Sequence, residues 1–303
     1  MVLLAQRPVE VKPGHIKGNL FAVSGAGKTW LALSFPAPYY IDTEGGAKRT
    51  HYMQRLERAG GAYLGPDKGS CDFETIADQI RTLATTQHPY KTLVIDSITK
   101  VFQTRIAKES ERLGKDDVYG ASKKPAIKEM RRLISLIDRL DMNVWFIAHE
   151  TAEWQSVNGQ RQEIGRTADI WEKLIYELDL TLRLEKHGDG YRTATVHKTR
   201  LLGFPDGERF DIQKNGEDLS YSAIVERYGR EAIEAEPVPV QLVETAMVSE
   251  IRRLLETVRV TEEEVDRILS KAKAEKVEDL SREHGEKMLA WLKGKVSKNG
   301  GEK

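Results

Sequence analysis

The chain has 303 residues, 40% hydrophobic and 31% charged. That suffices for one large domain with a small one beside it, or for two ordinary domains, and it excludes wholesale disorder. Its 47 basic residues balance its 47 acidic ones, so no global positive field coats nucleic acid, although a local basic patch stays open. Cys71 is the single cysteine, so a disulfide framework is impossible and a reducing compartment, the cytoplasm, is expected. No apolar run approaches the ~20 residues of a membrane span. Met1–Ala5, soon broken by Arg7 and Pro8, is too short for a signal peptide, and no membrane partner is expected.

In chain order, residues 18–235 alternate between short apolar runs and helix-period segments. Leu20–Val23, Tyr39–Ile41, Leu93–Ile95 and Val144–Ala148 predict strands; Ile98–Leu113 and Pro125–Leu140 predict helices. Continuous apolar strands separated by helices predict an α/β fold, mainly a parallel sheet covered on both faces. Leu178–Leu184 and Tyr191–Val196 alternate in pattern across Gly188, Asp189 and Gly190, which predicts an antiparallel edge hairpin. The whole α/β domain is assigned to residues 1–235. Pro237 and Pro239 cannot continue a helix, so residues 236–243 are expected to form an extended linker.

Residues 244–296 read as a three-helix module. Val248, Ile251, Leu254, Leu255 and Val258 share one face of the first helix. Thr261 and Glu264 make a capping box ahead of a stripe of Val265, Ile268, Leu269 and Ala272. Ser281 opens a third helix with Met288, Leu289, Trp291 and Leu292 inward, and residues 297–303 are expected to be a flexible tail.

The strongest motif is Ala22-Val23-Ser24-Gly25-Ala26-Gly27-Lys28-Thr29, after a strand and before a helix. Ser24, Gly25, Ala26 and Gly27 can turn backbone N–H groups toward a phosphate chain, with Lys28 on the β/γ-phosphates and Thr29 on Mg²⁺. Ala22 replaces the usual first glycine. Thr92–Ser97 is an apolar strand ending in Asp96, whose carboxylate at the sheet edge would hold Mg²⁺ through a water. No second acid follows Asp96. Glu44, in Asp42-Thr43-Glu44-Gly45-Gly46 after the second strand, is the candidate to orient water. His149, expected to end its strand, could report the γ-phosphate to the loop that follows.

These elements in this order resemble the RecA/RadA recombinase core. Gly25–Gly46, with Ser34-Phe35-Pro36-Ala37-Pro38-Tyr39, is similar to the short RecA-like single-strand-annealing ATPases of bacteriophages. The resemblance spans roughly residues 15–212. It implies a RecA-like P-loop ATPase core using ATP and Mg²⁺, with Glu44 as base and His149 where the family usually carries Gln. His197-Lys198-Thr199-Arg200, followed by Gly203-Phe204-Pro205, looks like the pair of cations that completes a neighbouring subunit's nucleotide site. The implied protein binds single-stranded DNA and promotes annealing or strand exchange in recombination and repair, as a head-to-tail homo-oligomer, ring or filament. If phage-encoded it works in the bacterial host cytosol. Its C-terminal module is an accessory surface for DNA, assembly or a partner such as single-strand-binding protein. A ring helicase or helicase loader shares the core, as does a nucleotide-switched DNA-binding adaptor with little hydrolysis.

In that family two loops hold DNA. The first maps to Gly114–Pro125, where residues 114–132 carry six basic groups (Lys115, Lys123, Lys124, Lys128, Arg131, Arg132) against three acids, with Tyr119 available to stack. The second, Thr151–Thr167, is expected to be a long loop containing Trp154, Arg161 and Arg166. From Glu150 to Glu172 five acids outnumber the two arginines, so repetition around an oligomer would have to multiply weak contacts.

Overall fold

Apolar runs of five or six residues, each closed by a polar residue or a glycine turn, lie side by side as strands buried on both faces. The computed structural model describes residues 14–48, 50–118, 120–258 and 260–299. β1 (Lys17–Ala22) runs into the glycine-rich loop and α1 (Lys28–Ala32). β2 (Pro38–Asp42), α2 (Thr50–Arg58) and β3 (Ala62–Leu64) follow, then α3 (Phe73–Thr85) and β4 (Thr92–Asp96). Next come α4 (Ile98–Leu113), α5 (Lys123–Arg139), β5 (Asn143–Val157), β6 (Gln160–Ala168) and α6 (Glu172–Glu177). β7 (Leu180–Lys186), β8 (Arg192–Thr199), β9 (Arg209–Lys214) and β10 (Glu217–Asp218) lead to α7 (Ser220–Tyr228) and α8 (Arg230–Glu234).

The sheet order is β10-β9-β8-β7-β1-β5-β4-β2-β3, with β6 paired only to β5. The six strands from β7 to β3 are parallel and the β8–β10 edge is antiparallel, as the pattern predicts. On β1, Leu20 and Ala22 pack with Leu31, Phe35 and Ile224, while Phe21 packs with Ile76, Ile98 and Met130 on the opposite face. Burial on both faces is why these strands read as unbroken apolar runs. Gly18 pairs with Trp145, and a Cβ at position 18 would lie 2.2 Å from the indole Cζ3. Gly18→Ala is therefore expected to cost about 1–3 kcal/mol by overpacking. Equilibrium urea unfolding should show a lower midpoint at unchanged slope; an unchanged midpoint would contradict this packing.

Three expectations change between the sheet and the proline-containing segment. The strand assigned to Val144–Ala148 does not stop at His149: β5 continues to Val157 and pairs with β6, so Thr151–Thr167 is a hairpin projecting past the sheet, not a loop. Alternation hid it, because most of its side chains face solvent and carry no apolar stripe. The Gly114–Pro125 loop is shorter than expected, since α5 already begins at Lys123. Tyr119 lies outside the described residues. The proline-containing segment is fastened: Val238 N–H donates to Asp141 Oδ2 (2.9 Å) and Val240 N–H to the Ala84 carbonyl (2.7 Å).

α9 (Thr245–Val258), α10 (Glu262–Lys271) and α11 (Arg282–Asn299) share a small core of Val248, Ile251, Leu254, Leu269, Met288 and Leu292. Thr261 and Glu264 make the capping box, and the Ser281 hydroxyl accepts from His284 N–H. Residues 297–299 continue α11 in place of a tail; residues 300–303 lie outside the described residues. The helices dock on the sheet domain through Asp279, fully buried between Arg81 (2.6 Å) and Arg132 (2.8 Å). Arg132 also reaches Glu74 at 2.6 Å, and its pairing with two carboxylates raises its affinity for the proton despite burial. Arg132 is thus a buried structural cation and leaves the basic patch to its neighbours.

Candidate nucleotide site

The carboxyl edge of the sheet gathers the phosphate-loop candidates, Glu44, Asp96 and His149 into one cleft of about 740 Å³. Ser24, Gly25, Gly27, Lys28 and Thr29 line its floor, with Glu44, Asp96 and His149 along one wall; Ala26 is buried beneath. Gly25 (φ +77°) and Gly27 (φ +102°) adopt left-handed conformations that L side chains resist, which is what the tight loop requires. Lys28 Nζ donates to the carbonyls of Ala22 (2.9 Å) and Val23 (3.1 Å), holding the ammonium inside the loop. Burial pulls the Lys28 pKa down, against Asp96, Glu44 and Glu150, which favour its charge.

Thr29 Oγ1 donates to Asp96 Oδ2 at 2.7 Å, and the Tyr40 hydroxyl donates to the same oxygen at 2.9 Å. Burial raises the Asp96 pKa, with the two hydroxyls opposing it and the nearby Asp42 and Glu44 charges adding to it. Among the described residues no three His, Cys, Asp or Glu side chains converge into a metal cage. One hydroxyl and one carboxylate suit Mg²⁺, which keeps most of its waters and takes further oxygens from phosphates. Thr29 and Asp96 would hold it; it would neutralise charge developing on the phosphate oxygens.

The wall residues are held in place by one another. Glu44 Oε1 accepts from the Ser97 hydroxyl (2.6 Å) and lies 2.8 Å from His149 Nε2. His149 N–H in turn donates to Thr99 Oγ1 at 2.9 Å. The buried Asp42 carboxylate accepts from the N–H groups of Glu44 (3.0 Å), Gly45 (2.7 Å) and Ala47 (3.0 Å), and from the Tyr63 hydroxyl (3.1 Å). Three of these charge-assisted bonds fix the loop that carries Glu44 and the fourth ties the carboxylate to β3, so Asp42 is a positioning residue. Sequence reasoning assigned no role to Asp42, Tyr40, Ser97, Glu150 or Arg192, all near this cleft. Tyr40 and Asp96 become neighbours through β2–β4 pairing, a relation no local pattern carries.

Lys198 and Arg200 are not in the cleft. β8 runs antiparallel, so Lys198 pairs with Thr181 at the opposite edge of the sheet from the phosphate loop. Lys198 Nζ donates to the Leu178 carbonyl, and Arg200 donates to the carbonyls of Tyr176 and Glu177 at the end of α6. Burial, and then Arg200, pull the Lys198 pKa down to about 8.

Of the nucleic-acid candidates, Lys123, Lys124, Lys128 and Arg131 are exposed on α5, Arg131 lying 5.9 Å from the Trp171 ring. On the β5–β6 hairpin Arg161 stacks on the half-exposed Trp154 (4.8 Å), whereas Arg166 is paired with Glu163 (3.2 Å). No helix among the described residues is long and apolar enough to cross a membrane.

A glycine-rich loop between the central strand and its helix, with a Thr–Asp pair beside it, defines a P-loop nucleotide-binding ATPase. The AAA domain family matches residues 15–204, from the residue pair preceding β1 to just past β8, and the chain belongs to that family. No curated protein matches the chain.

Proposed function

We propose that this ATPase is a RecA-like recombination protein that assembles head to tail and uses ATP to control its grip on single-stranded DNA. The observation that carries this reading is the distance between the phosphate loop and the Lys198–Arg200 pair on opposite edges of one sheet. Cations so placed cannot serve their own nucleotide and are suited to a neighbour's. Around them Leu202 is fully exposed and Tyr176 more than half exposed, an apolar fringe of the kind that subunit contacts bury. Glu44, held toward the cleft by Ser97 and His149, supports hydrolysis over a purely binding role.

The DNA surface would lie on the α5 start and the β5–β6 hairpin. α5 leads into β5 at the amino edge, so its first turn points toward the carboxyl edge, from which the hairpin also projects. The ammonium groups of Lys123, Lys124 and Lys128 have no hydrogen bond or ion pair to any described residue, leaving their charges for phosphates, and Trp154 can stack on a base. Annealing or strand exchange would follow from ATP-gated binding by many subunits in register.

The test is the ATPase rate and DNA affinity of wild type and the Lys123→Glu/Lys124→Glu/Lys128→Glu variant. Single-stranded DNA should stimulate wild-type hydrolysis several-fold, and the variant should lose that stimulation. Three phosphate contacts predict a salt slope of about −2 per subunit, from ~0.7 counterions released per contact on single strands. Absent stimulation together with salt-independent affinity would sink the proposal.

A further inference from the structure

The phosphate loop sits at the end of β1 with different neighbours on its two sides. β5, β4 and β2 supply His149, Asp96 and Glu44 on one side; β7 and β8 flank the other. Arg192, the first residue of β8, pairs with Lys186, three positions beyond the Arg183–Phe21 register and hence at the phosphate-loop edge. Its alternation partners Ala194 and Val196 pack on the face that carries α1, so Arg192 projects over that same face. Its side chain crosses to the loop: a Cβ built on Gly27 would lie 3.3 Å from Arg192 Cδ and 3.6 Å from Nε.

Charge pairing in the cleft singles this residue out. Asp218 is held by Arg55 (2.7 Å) and Trp30 Nε1 (2.9 Å), and Glu150 by Arg183 (2.9 Å). Asp42 and Asp96 have the donors described above, and Lys28 has two carbonyls. Arg192 is half-buried, its Nε is shielded from solvent, and its guanidinium has no hydrogen bond or ion pair to any described residue. A guanidinium whose shielded Nε lacks an acceptor carries a cost, and a ligand chemistry that satisfies it is a phosphate, which takes its planar fork in two parallel bonds.

We infer that Arg192 binds the nucleotide's phosphate chain from within the same subunit, beside Gly27 and away from the γ-phosphate end. This deepens the nucleotide-binding reading and rests on it. Arg192 and Arg200, at the two ends of β8, then have separate duties: the first holds the nucleotide in its own subunit, the second completes the neighbour's site.

The test is calorimetric titration of wild type, Arg192→Ala and Arg192→Lys with Mg²⁺-ADP and Mg²⁺-ATP, alongside steady-state hydrolysis. Losing a charge-assisted hydrogen bond should weaken Arg192→Ala binding about tenfold to a hundredfold, equally for ADP and ATP. Arg192→Lys should recover part of the affinity, and the KM for ATP should rise in step with the lost affinity, the pattern of lost uniform binding. Affinity within about twofold of wild type in Arg192→Ala would overturn the inference. So would a loss confined to ATP, which would move the residue to the γ end. If wild type bound neither nucleotide, the nucleotide-site reading itself would fall, an outcome separable from an effect on Arg192 alone.

Discussion

Replacing Glu44 by Gln is expected to leave ATP binding intact while slowing hydrolysis by about 10²–10⁴-fold, the usual contribution of a positioned base. The geometry makes the substitution a clean one. Gln keeps an oxygen acceptor for the Ser97 hydroxyl and for His149 Nε2, so the contacts at 2.6 and 2.8 Å survive. Asp42 still pins the backbone of residues 44, 45 and 47, so the loop does not move. What disappears is the carboxylate's ability to take a proton from water in line with the γ-phosphate. Phosphate release under saturating ATP, set beside nucleotide affinity, separates the two effects. An unchanged rate would remove Glu44 from the chemistry and favour an adaptor that merely switches with nucleotide.

The site's floor was legible in the sequence because its parts are contiguous: Ser24 to Thr29 carry their own geometry, and strand-loop-helix order is a local pattern. Asp96 was legible for a related reason, being the polar end of an apolar strand, and Glu44 because it follows two residues after the end of another. The supports were not. Tyr40 reaches Asp96, and Asp42 reaches Tyr63, only because β2 lies between β4 and β3, an order that alternation cannot reveal. In the sequence Arg192 is one more cation after a hairpin turn; it becomes informative once β8 is known to begin beside the phosphate loop. Arg132 shows the opposite failure. Charge counting put it in a phosphate-binding patch, yet Asp279 lies 147 positions away in sequence and claims it in the fold. The β5–β6 hairpin escaped because its residues are polar on both faces, and strand periodicity is visible only where one face is buried.

Arg200→Ala should bind ATP normally and lose hydrolysis by about 10³-fold or more, the scale of a cation supplied to another subunit's transition state. The same loss could arise inside one subunit, so the decisive measurement is a mixture. Arg200→Ala subunits retain Glu44, and Glu44→Gln subunits retain Arg200. In a head-to-tail assembly formed from equal amounts, about a quarter of the interfaces join an intact Glu44 to a neighbour's intact Arg200. The mixture should therefore regain roughly that fraction of wild-type activity, although each variant alone is inactive. Register forbids the alternative within one chain: Gly18, opposite Leu180, is four residues from the start of the loop, or about 13 Å at 3.3 Å per residue, and Arg200 lies beyond the end of β8 on that far side. Arg200 moreover turns toward the carbonyls of Tyr176 and Glu177, away from its own cleft. Activity in the mixture equal to the mean of the two variants would falsify the shared site and leave each subunit to hydrolyse ATP alone.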